Sequence, residues 1–125
     1  MNLVDTSGWL EYFFGGRNAA YFTPPIETTG DLTVPVICLY EVFKKVNRVG
    51  NEAQALQAIA QMKQGRVIEV TEDIALNAAL ISLKHKLPMA DSLIFATAVA
   101  LEAVLWTQDD HFEGLPGVKY RGIRT

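Results

Sequence analysis

The sequence predicts an α/β sandwich built around a mostly parallel sheet of short strands. Short apolar runs alternate with longer runs whose apolar residues have helical spacing, which is typical of such folds. Glycine, proline and hydroxyl residues stand where one kind of run gives way to the other. The chain has 125 residues, 50% of them hydrophobic, which is enough for a packed core. We therefore expect one domain covering residues 1–125.

The first half of the chain predicts two strands. The helix after the first strand has Thr6 or Ser7 near its N-cap and ends at the Gly15–Gly16 pair, and Asn51 can cap a later helix. Pro24 and Pro25 interrupt the passage between the first helix and the second strand. The predicted elements are a strand over Met1–Val4, a helix over Thr6–Phe14, an irregular or short helical passage over Arg17–Thr28, a strand over Leu32–Val34, a helix over Val36–Val49 and a helix over Glu52–Gln64.

The second half predicts three more strands and two long helices. Thr71 can cap the first of these helices, and Pro88 suits the first turn of the second. The first helix is expected to turn Ile74, Ala78, Ile81 and Leu83 inward. The predicted elements are a strand over Val67–Val70, a helix over Glu72–Lys86, a helix from Pro88 to about Glu102, a strand over Val104–Thr107, a helical turn over Asp109–Phe112 and a strand over Val118–Tyr120.

Composition excludes several classes of protein. No apolar run reaches the roughly 18 residues of a transmembrane helix, and a basic segment followed by an apolar one is missing at the start, so we expect a cytoplasmic protein without a membrane partner. Cys38 is expected to be a small core residue. The net charge of −3 argues weakly against nucleic acid as a partner. The basic residues are clustered, however, as Lys44, Lys45 and Arg48, as Lys84, His85 and Lys86, and as Lys119, Arg121 and Arg124.

Four acids stand out by position: Asp5, Glu41, Asp91 and Asp109. Asp5 ends the first strand and Asp109 follows the fourth, so both should open on the edge of the sheet where ligands bind. Each acid also has an ordinary explanation. Asp5 and Asp109 could cap the helical segments after them, and Glu41 could pair with Lys45. Asp91 stands in the first turn of a helix, where the helix dipole favours a negative charge.

Taken together, the ordinary explanations weaken. Asp91 stands in "PMADSLIFATAVALE", a helix that is apolar on nearly every side and therefore expected to be buried. Two carboxylates about 4 Å apart repel each other by about 4 kcal/mol at an effective dielectric of 20, so a cluster of them needs a cation. Oxygen ligands suit Mg²⁺ or Mn²⁺, which can activate water and stabilise the leaving oxygen in phosphodiester hydrolysis. His85 and His111 have no spacing typical of zinc sites.

The same residues carry a family resemblance. The segments "LVDTSGWLEYF", "VICLYEVFK" and "LPMADSLIFATAVALEAVLWTQDDHFEGLPGV" together resemble a PIN-domain ribonuclease of the VapC toxin type, in the expected order and over nearly the whole chain. The last segment is the most specific, because an acid, a small-residue helix, a strand, "T-x-D-x-x-F" and "PG" follow at close spacing. The resemblance implies a three-layer α/β/α sandwich and a Mg²⁺- or Mn²⁺-dependent endoribonuclease.

The resemblance also implies roles for single residues. Asp5, Glu41, Asp91 and Asp109 match the four acids of the family and would be its metal ligands. Thr6 or Ser7 would orient Asp5, and Thr107 stands where the family often has a hydroxyl near the site. Asp110 is either a secondary ligand or the cap of the short turn, of which we favour the cap. His111 is expected to be a surface or RNA-contacting residue.

RNA would reach an acidic pocket over basic residues that neutralise its phosphates. Lys44, Lys45 and Arg48 share a helix with Glu41 and are our first choice. Trp9, Tyr12 and Phe13 could stack on bases, although a core or dimer surface is the stronger expectation for them.

The resemblance further implies a homodimer, structured RNA such as tRNA or ribosomal RNA as substrate, and a small antitoxin that blocks the site and binds operator DNA. Two alternatives stay open: a PIN-domain RNA-processing nuclease without an antitoxin, and a non-catalytic PIN-like binding scaffold.

Overall fold

The computed structural model describes residues 1–123; the predicted basic residue Arg124 lies outside this part. Within it, no helix is long and apolar enough to cross a membrane. The strands are β1 (Asn2–Val4), β2 (Leu32–Pro35), β3 (Arg66–Ile68), β4 (Val104–Thr107) and β5 (Val118–Tyr120). The helices are α1 (Thr6–Phe14), α2 (Ala19–Glu27), α3 (Val36–Val49), α4 (Glu52–Met62), α5 (Glu72–His85) and α6 (Met89–Leu101). Short 3₁₀ turns cover Thr29–Asp31 and Asp110–Phe112.

The five strands form one sheet in the order β3-β2-β1-β4-β5, and every neighbouring pair is parallel. The expectation of a mostly parallel sheet is confirmed. Strand β1 is central, with Leu3 opposite Thr33 on one side and Leu105 on the other. Such a strand is covered on both faces, which explains why Leu3 and Val4 are fully buried.

The topology brings the ends of β1 and β4 to the place where the strand order reverses. From β1 the chain moves outward to β2 and β3, and then returns across the sheet to β4 and β5. Right-handed crossovers in opposite directions place α1–α4 and α5–α6 on opposite faces, which gives the predicted three layers. Ligands of open α/β sheets bind at this point of reversal, beyond the carboxyl ends of the strands.

The helix α1 lies close to β1 and α2 because Gly8 has no side chain. A Cβ at Gly8 would stand 2.6 Å from Val4 Cγ1 and 2.8 Å from the ring of Phe22. Val4 and Phe22 are fully buried and cannot move away cheaply. The glycine therefore sets the distance at which α1 packs, and with it the position of Asp5 at the N-terminus of this helix.

We expect Gly8→Ala to destabilise the fold by about 1–3 kcal/mol, the usual cost of overpacking a well-packed core. This should lower Tm by roughly 4 °C for each kcal/mol. Gly30→Ala is the matched control, since a Cβ there meets nothing within 4 Å and no positive φ is involved. Thermal unfolding of both variants by circular dichroism is the measurement, and equal Tm values would contradict the packing explanation.

Three features differ from the predictions or resolve them. The third strand, predicted over Val67–Val70, runs over Arg66–Ile68. The passage over Arg17–Thr28 forms a nine-residue helix, α2, in which Pro24 and Pro25 stand near the C-terminal end. Both prolines lack the N–H that would bond to a carbonyl four residues earlier, while Pro24 O accepts hydrogen bonds from both Thr28 N and Thr28 Oγ1. The prediction that Leu83 turns inward is wrong, because its side chain is 80% exposed.

Candidate metal-binding site

Asp5 is the most buried of the four predicted acids, with 2% of its surface exposed. It is the N-cap of α1: its Oδ1 accepts hydrogen bonds from Gly8 N (2.9 Å) and from Ser7 Oγ (2.8 Å). Its Oδ2 accepts one from Thr107 Oγ1 at 2.7 Å. The ordinary role of Asp5 as a helix cap is therefore real, and it leaves the carboxylate fixed at the end of β1.

Thr107, fully buried at the end of β4, joins two of the acids. Its hydroxyl donates to Asp5 and accepts from Asp109 N at 2.9 Å. The backbone after β4 is thus held against the end of β1, as expected for neighbouring parallel strands. Asp109 Oδ1 in turn accepts from His111 N at 2.9 Å and so caps the turn over Asp110–Phe112.

Asp91, in the first turn of α6, lies across the site from β4. His111 Nδ1 donates to Asp91 Oδ2 at 2.8 Å and lies 3.3 Å from Asp109 Oδ1. The imidazole therefore bridges the two carboxylates. Ligand atoms of Asp91, Asp109 and His111 all lie within 4.8 Å of one another, close enough for one ion.

Glu41, half-buried on α3, reaches the same place through Thr6. Thr6 Oγ1 donates to Glu41 Oε1 at 2.6 Å, so the glutamate is tied to the start of α1 rather than engaged only with its own helix. Burial is the main cause that raises the pKa of Asp5 and of Asp91; the charge of Asp109 adds to both shifts, and the charge of Glu41 adds to that of Asp91. Charge effects thus link Asp109 with Asp5 and Asp91, and Glu41 with Asp91. Within residues 1–123, the group of ligand atoms less than 4.8 Å apart is Asp91, Asp109 and His111, and it does not include Asp5 or Glu41.

Burial has the largest effect on the protonation of the buried carboxylates of the site. Burial raises the pKa of Asp5 to about 7, against the hydrogen bonds from Thr107, Gly8 and Ser7, which lower it. Burial also raises the pKa of Asp91, which the hydrogen bond from His111 lowers. The same hydrogen bond, together with the charge of Asp109, raises the pKa of His111. The site favours positive charge at its centre.

Thr6, Ser7 and Asp110, which were expected to support the four acids, make different contacts. Ser7 donates a hydrogen bond to Asp5, whereas Thr6 donates to Glu41. Of the two residues, Ser7 is therefore the one that contacts the Asp5 carboxylate. The prediction that Asp110 caps the short turn is wrong. Asp110 is the first residue of the turn, and the cap is the residue before it, Asp109, whose carboxylate accepts a hydrogen bond from His111 N. Asp110 is exposed beside the site.

The predicted basic residues lie on α3, after Glu41. Lys44 and Arg48 are exposed and, with Tyr40, line a surface cavity of about 580 Å³. Lys45, one helical turn after Glu41, is half-buried.

The aromatic residues of α1 and the cysteine of α3 belong to the core instead. Trp9 is fully buried and stacks on Phe13, with 5.6 Å between the ring centroids. Tyr12 donates to Glu27. Cys38 is fully buried, as expected, and burial raises the pKa of its thiol.

The model of one protein family, the PIN domain, matches residues 3–118. The chain belongs to the PIN-domain family. A comparison with curated protein sequences found no match.

Solved structures similar to this PIN domain come from toxin–antitoxin systems. A toxin–antitoxin complex from Klebsiella pneumoniae has 26% identity and a TM-score of 0.79, with 95% of this chain and 96% of that chain covered. VapC20 of Mycobacterium tuberculosis, a toxin that cleaves the sarcin–ricin loop, has 19% identity and a TM-score of 0.78, with 93% and 95% covered. A DNA-bound VapBC from Salmonella typhimurium has 15% identity and a TM-score of 0.74, with 98% of each chain covered. The structural neighbours of this PIN domain thus include a VapC toxin and VapBC proteins.

Sequence reasoning missed the contacts of His111 and a polar network beside the site. Asn18, 1% exposed, donates to Gln108 Oε1 (3.0 Å) and to Gly122 O (2.9 Å), while Glu11 accepts from Asn18 N (2.8 Å) and Gln108 Nε2 (3.3 Å). The spacing Asp109-x-His111 inside a short turn was a usable signal for His111. Nothing in the local pattern marks Asn18, whose partners lie 90 and 104 residues away.

Proposed function

We propose that this PIN domain is a Mg²⁺- or Mn²⁺-dependent endoribonuclease that acts as the toxin of a toxin–antitoxin pair. The observation that supports the proposal is that Asp91, Asp109 and His111 lie within 4.8 Å of one another where the strand order reverses, with Asp5 joined to Asp109 through Thr107 and Glu41 tied to the start of α1 through Thr6. Family membership supports nuclease chemistry, and the neighbouring VapC structures support the toxin role.

The donor set fits a divalent cation. Carboxylate oxygens dominate it, and the raised pKa of Asp5, a buried carboxylate beside other acids, indicates a site that lacks positive charge. We propose Asp5, Glu41, Asp91 and Asp109 as the residues that would hold the ion. When bound, it would supply Lewis acidity for the attack of water on a phosphodiester and for the departure of the leaving oxygen.

The other residues of the site act on these four acids. Thr107 and Ser7 hold the Asp5 carboxylate in one orientation, and Thr6 does the same for Glu41. Hydrogen bonds of this kind keep ligand oxygens aimed at a common point. Asp110, exposed next to Asp109, is available as a secondary ligand.

RNA phosphates are proposed to contact the basic side of α3. Lys44, Lys45 and Arg48 follow Glu41 by three, four and seven residues, positions that continue along the same side of a helix. Structured RNA such as tRNA or ribosomal RNA is the substrate class that we propose, which would place the protein in the cytoplasm.

The partners follow from the same comparison. We propose a small antitoxin that blocks the site, and operator DNA bound only through that antitoxin. A homodimer is supported by an apolar stripe on α5, where Leu76, Leu80 and Leu83 are 61%, 65% and 80% exposed. Residues 1–125 are proposed to act as one domain.

The direct test is an RNA cleavage assay with the purified protein. We expect cleavage of structured RNA when Mg²⁺ or Mn²⁺ is present and no cleavage after addition of a chelator, with activity restored by excess metal. Products with new ends inside the RNA identify an endonuclease. Cleavage that continues unchanged in chelator would contradict the metal site.

An expression test separates the toxin from the two alternatives. The toxin proposal predicts growth arrest on expression and relief when the short reading frame beside the gene is expressed with it. Harmless expression of a protein that cleaves RNA in vitro would favour an RNA-processing nuclease. Harmless expression without cleavage would favour a binding scaffold.

A further inference from the structure

A second basic surface, separate from α3, lies beside the acidic site. Lys119 Nζ stands 4.5 Å from the centroid of the Trp106 ring, and Arg121 Cζ stands 4.6 Å from that of Tyr21. The two rings contact each other with 5.3 Å between centroids. Both cations therefore lie on one face of the sheet, each over the π-face of an aromatic ring.

These cations are available to a partner. Lys119 and Arg121 are exposed, and neither forms an ion pair with a carboxylate anywhere in residues 1–123. A contact between a cation and an aromatic ring at an exposed site orients the side chain without neutralising its charge. The charges thus remain open to an anion.

The backbone connects this surface directly to the acids. Lys119 is opposite Trp106 in the β4–β5 pair, and Arg121 N donates to Thr107 O at 3.0 Å. The hydroxyl of the same Thr107 holds Asp5. Asn18, the N-cap residue of α2, donates to Gly122 O, so the residue after Arg121 is held in place as well.

One cavity is lined both by acids of the site and by residues next to Arg121. It has a volume of about 480 Å³, and its lining includes Asp109, Asp110, Tyr120 and Gly122. Tyr120 and Gly122 flank Arg121 in the chain, so the segment that carries Arg121 forms part of the wall of this cavity.

The spacing of the cations fits a phosphate chain. Residues i and i+2 of an extended segment point to the same face about 6.6–6.8 Å apart, a distance similar to that between successive phosphates of an extended RNA strand. The aromatic rings beneath the cations hold both side chains on this face and leave their charges for the phosphates. An acidic peptide would also satisfy the charges, but the proposed ribonuclease site brings an RNA strand to this edge of the sheet.

We propose that Lys119 and Arg121, with Tyr21 and Trp106 beneath them, form a surface that binds successive phosphates of the RNA strand next to the acidic site. The inference rests on the proposed ribonuclease function and adds a binding surface to it. It assigns RNA contacts to the C-terminal segment of the domain in addition to those proposed for α3.

The test measures RNA binding rather than cleavage. In an Asp91→Asn background with Mg²⁺, which keeps the RNA intact, fluorescence anisotropy compares the parent with Lys119→Gln/Arg121→Gln on a single-stranded RNA oligonucleotide at several salt concentrations. We expect binding at least about tenfold weaker and a log–log salt slope smaller by about 1.4, the value for two lost phosphate contacts on a single strand. The matched control is Lys63→Gln/Arg66→Gln, two exposed cations at the amino end of β3.

A charge-retaining variant, Lys119→Arg/Arg121→Lys, should bind like the parent, and circular dichroism should show that all variants are folded. If the parent binds RNA and Lys119→Gln/Arg121→Gln binds equally well, the inference is overturned while the proposed function stands. Unchanged RNA affinity with lost antitoxin binding would assign the surface to a protein partner and would also overturn it. If the parent binds no RNA, the proposed function fails as well.

Discussion

Replacing Asp91 by asparagine is expected to reduce RNA cleavage at least about 1,000-fold while the fold persists. The exchange keeps the size of the side chain but removes one of the charges that would hold the metal ion. Lewis-acid stabilisation by a bound ion is worth several kcal/mol, and each 1.36 kcal/mol corresponds to a factor of ten in rate. Because His111 donates to Asp91, the variant also loses a charged acceptor for the imidazole. The measurement is the initial rate of cleavage with saturating Mg²⁺ or Mn²⁺.

The matched control for this variant is Asp73→Asn. Asp73 also stands in the first turn of a helix, α5, but its side chain is exposed and away from the cluster. The control should cleave RNA like the wild type, since it changes the net charge by the same amount without touching the site. Wild-type rates in Asp91→Asn would remove Asp91 from the proposed ligands. Equal loss in both variants would show that net charge, rather than the site, is responsible.

Replacing Asp5 by asparagine is expected to stabilise the metal-free protein above neutral pH. Burial raises the pKa of Asp5 to about 7, whereas a carboxyl group in the unfolded chain has its ordinary value of 3.8. The folded state therefore binds more protons than the unfolded state between these two values. The resulting stability is fully present below pH 3.8 and is lost as the pH rises through about 7.

The linkage predicts a change with pH rather than one fixed difference. Between pH 5 and pH 8 the wild type should lose about 2–3 kcal/mol relative to Asp5→Asn, or roughly 10 °C in Tm, because asparagine does not titrate. Tm is measured in chelator at both pH values. Adding Mn²⁺ at pH 8 should raise the Tm of the wild type more than that of the variant, since an ion bound only by the folded state stabilises it. A Tm difference that is independent of pH and metal would show that Asp5 is not a buried carboxylate of the kind described.

Asp5 and Asp109, the two acids that follow strands, could be placed from the sequence. Asp5 ends an apolar strand and Asp109 follows another, and the carboxyl ends of parallel strands share one edge. The positions of the strands and of most helices were predictable for the same reason, because local periodicity and caps determine them. Asn51 and Thr71 cap their helices as expected, through hydrogen bonds to Gln54 N and Ile74 N.

The two acids on helices were a different problem. Asp91 stands on a helix that is buried on nearly all sides, so no apolar stripe indicates which way its carboxylate points. Only the resemblance to a family connected it with Glu41. The same weakness made Leu83 look buried, since α5 is apolar at many positions and packs along only part of its surface.

The chain's own residues thus determined the alternation of strands and helices, the buried strand ends and the presence of carboxylates at the ligand-binding edge, because each depends on neighbours within a few positions. The tertiary structure decided which side chains meet. Hydrogen bonds join Thr6 to Glu41, Thr107 to Asp5 and His111 to Asp91, over separations of 35, 102 and 20 residues. Such contacts depend on how helices rotate and pack against the sheet, and that is a property of the whole core rather than of any short segment.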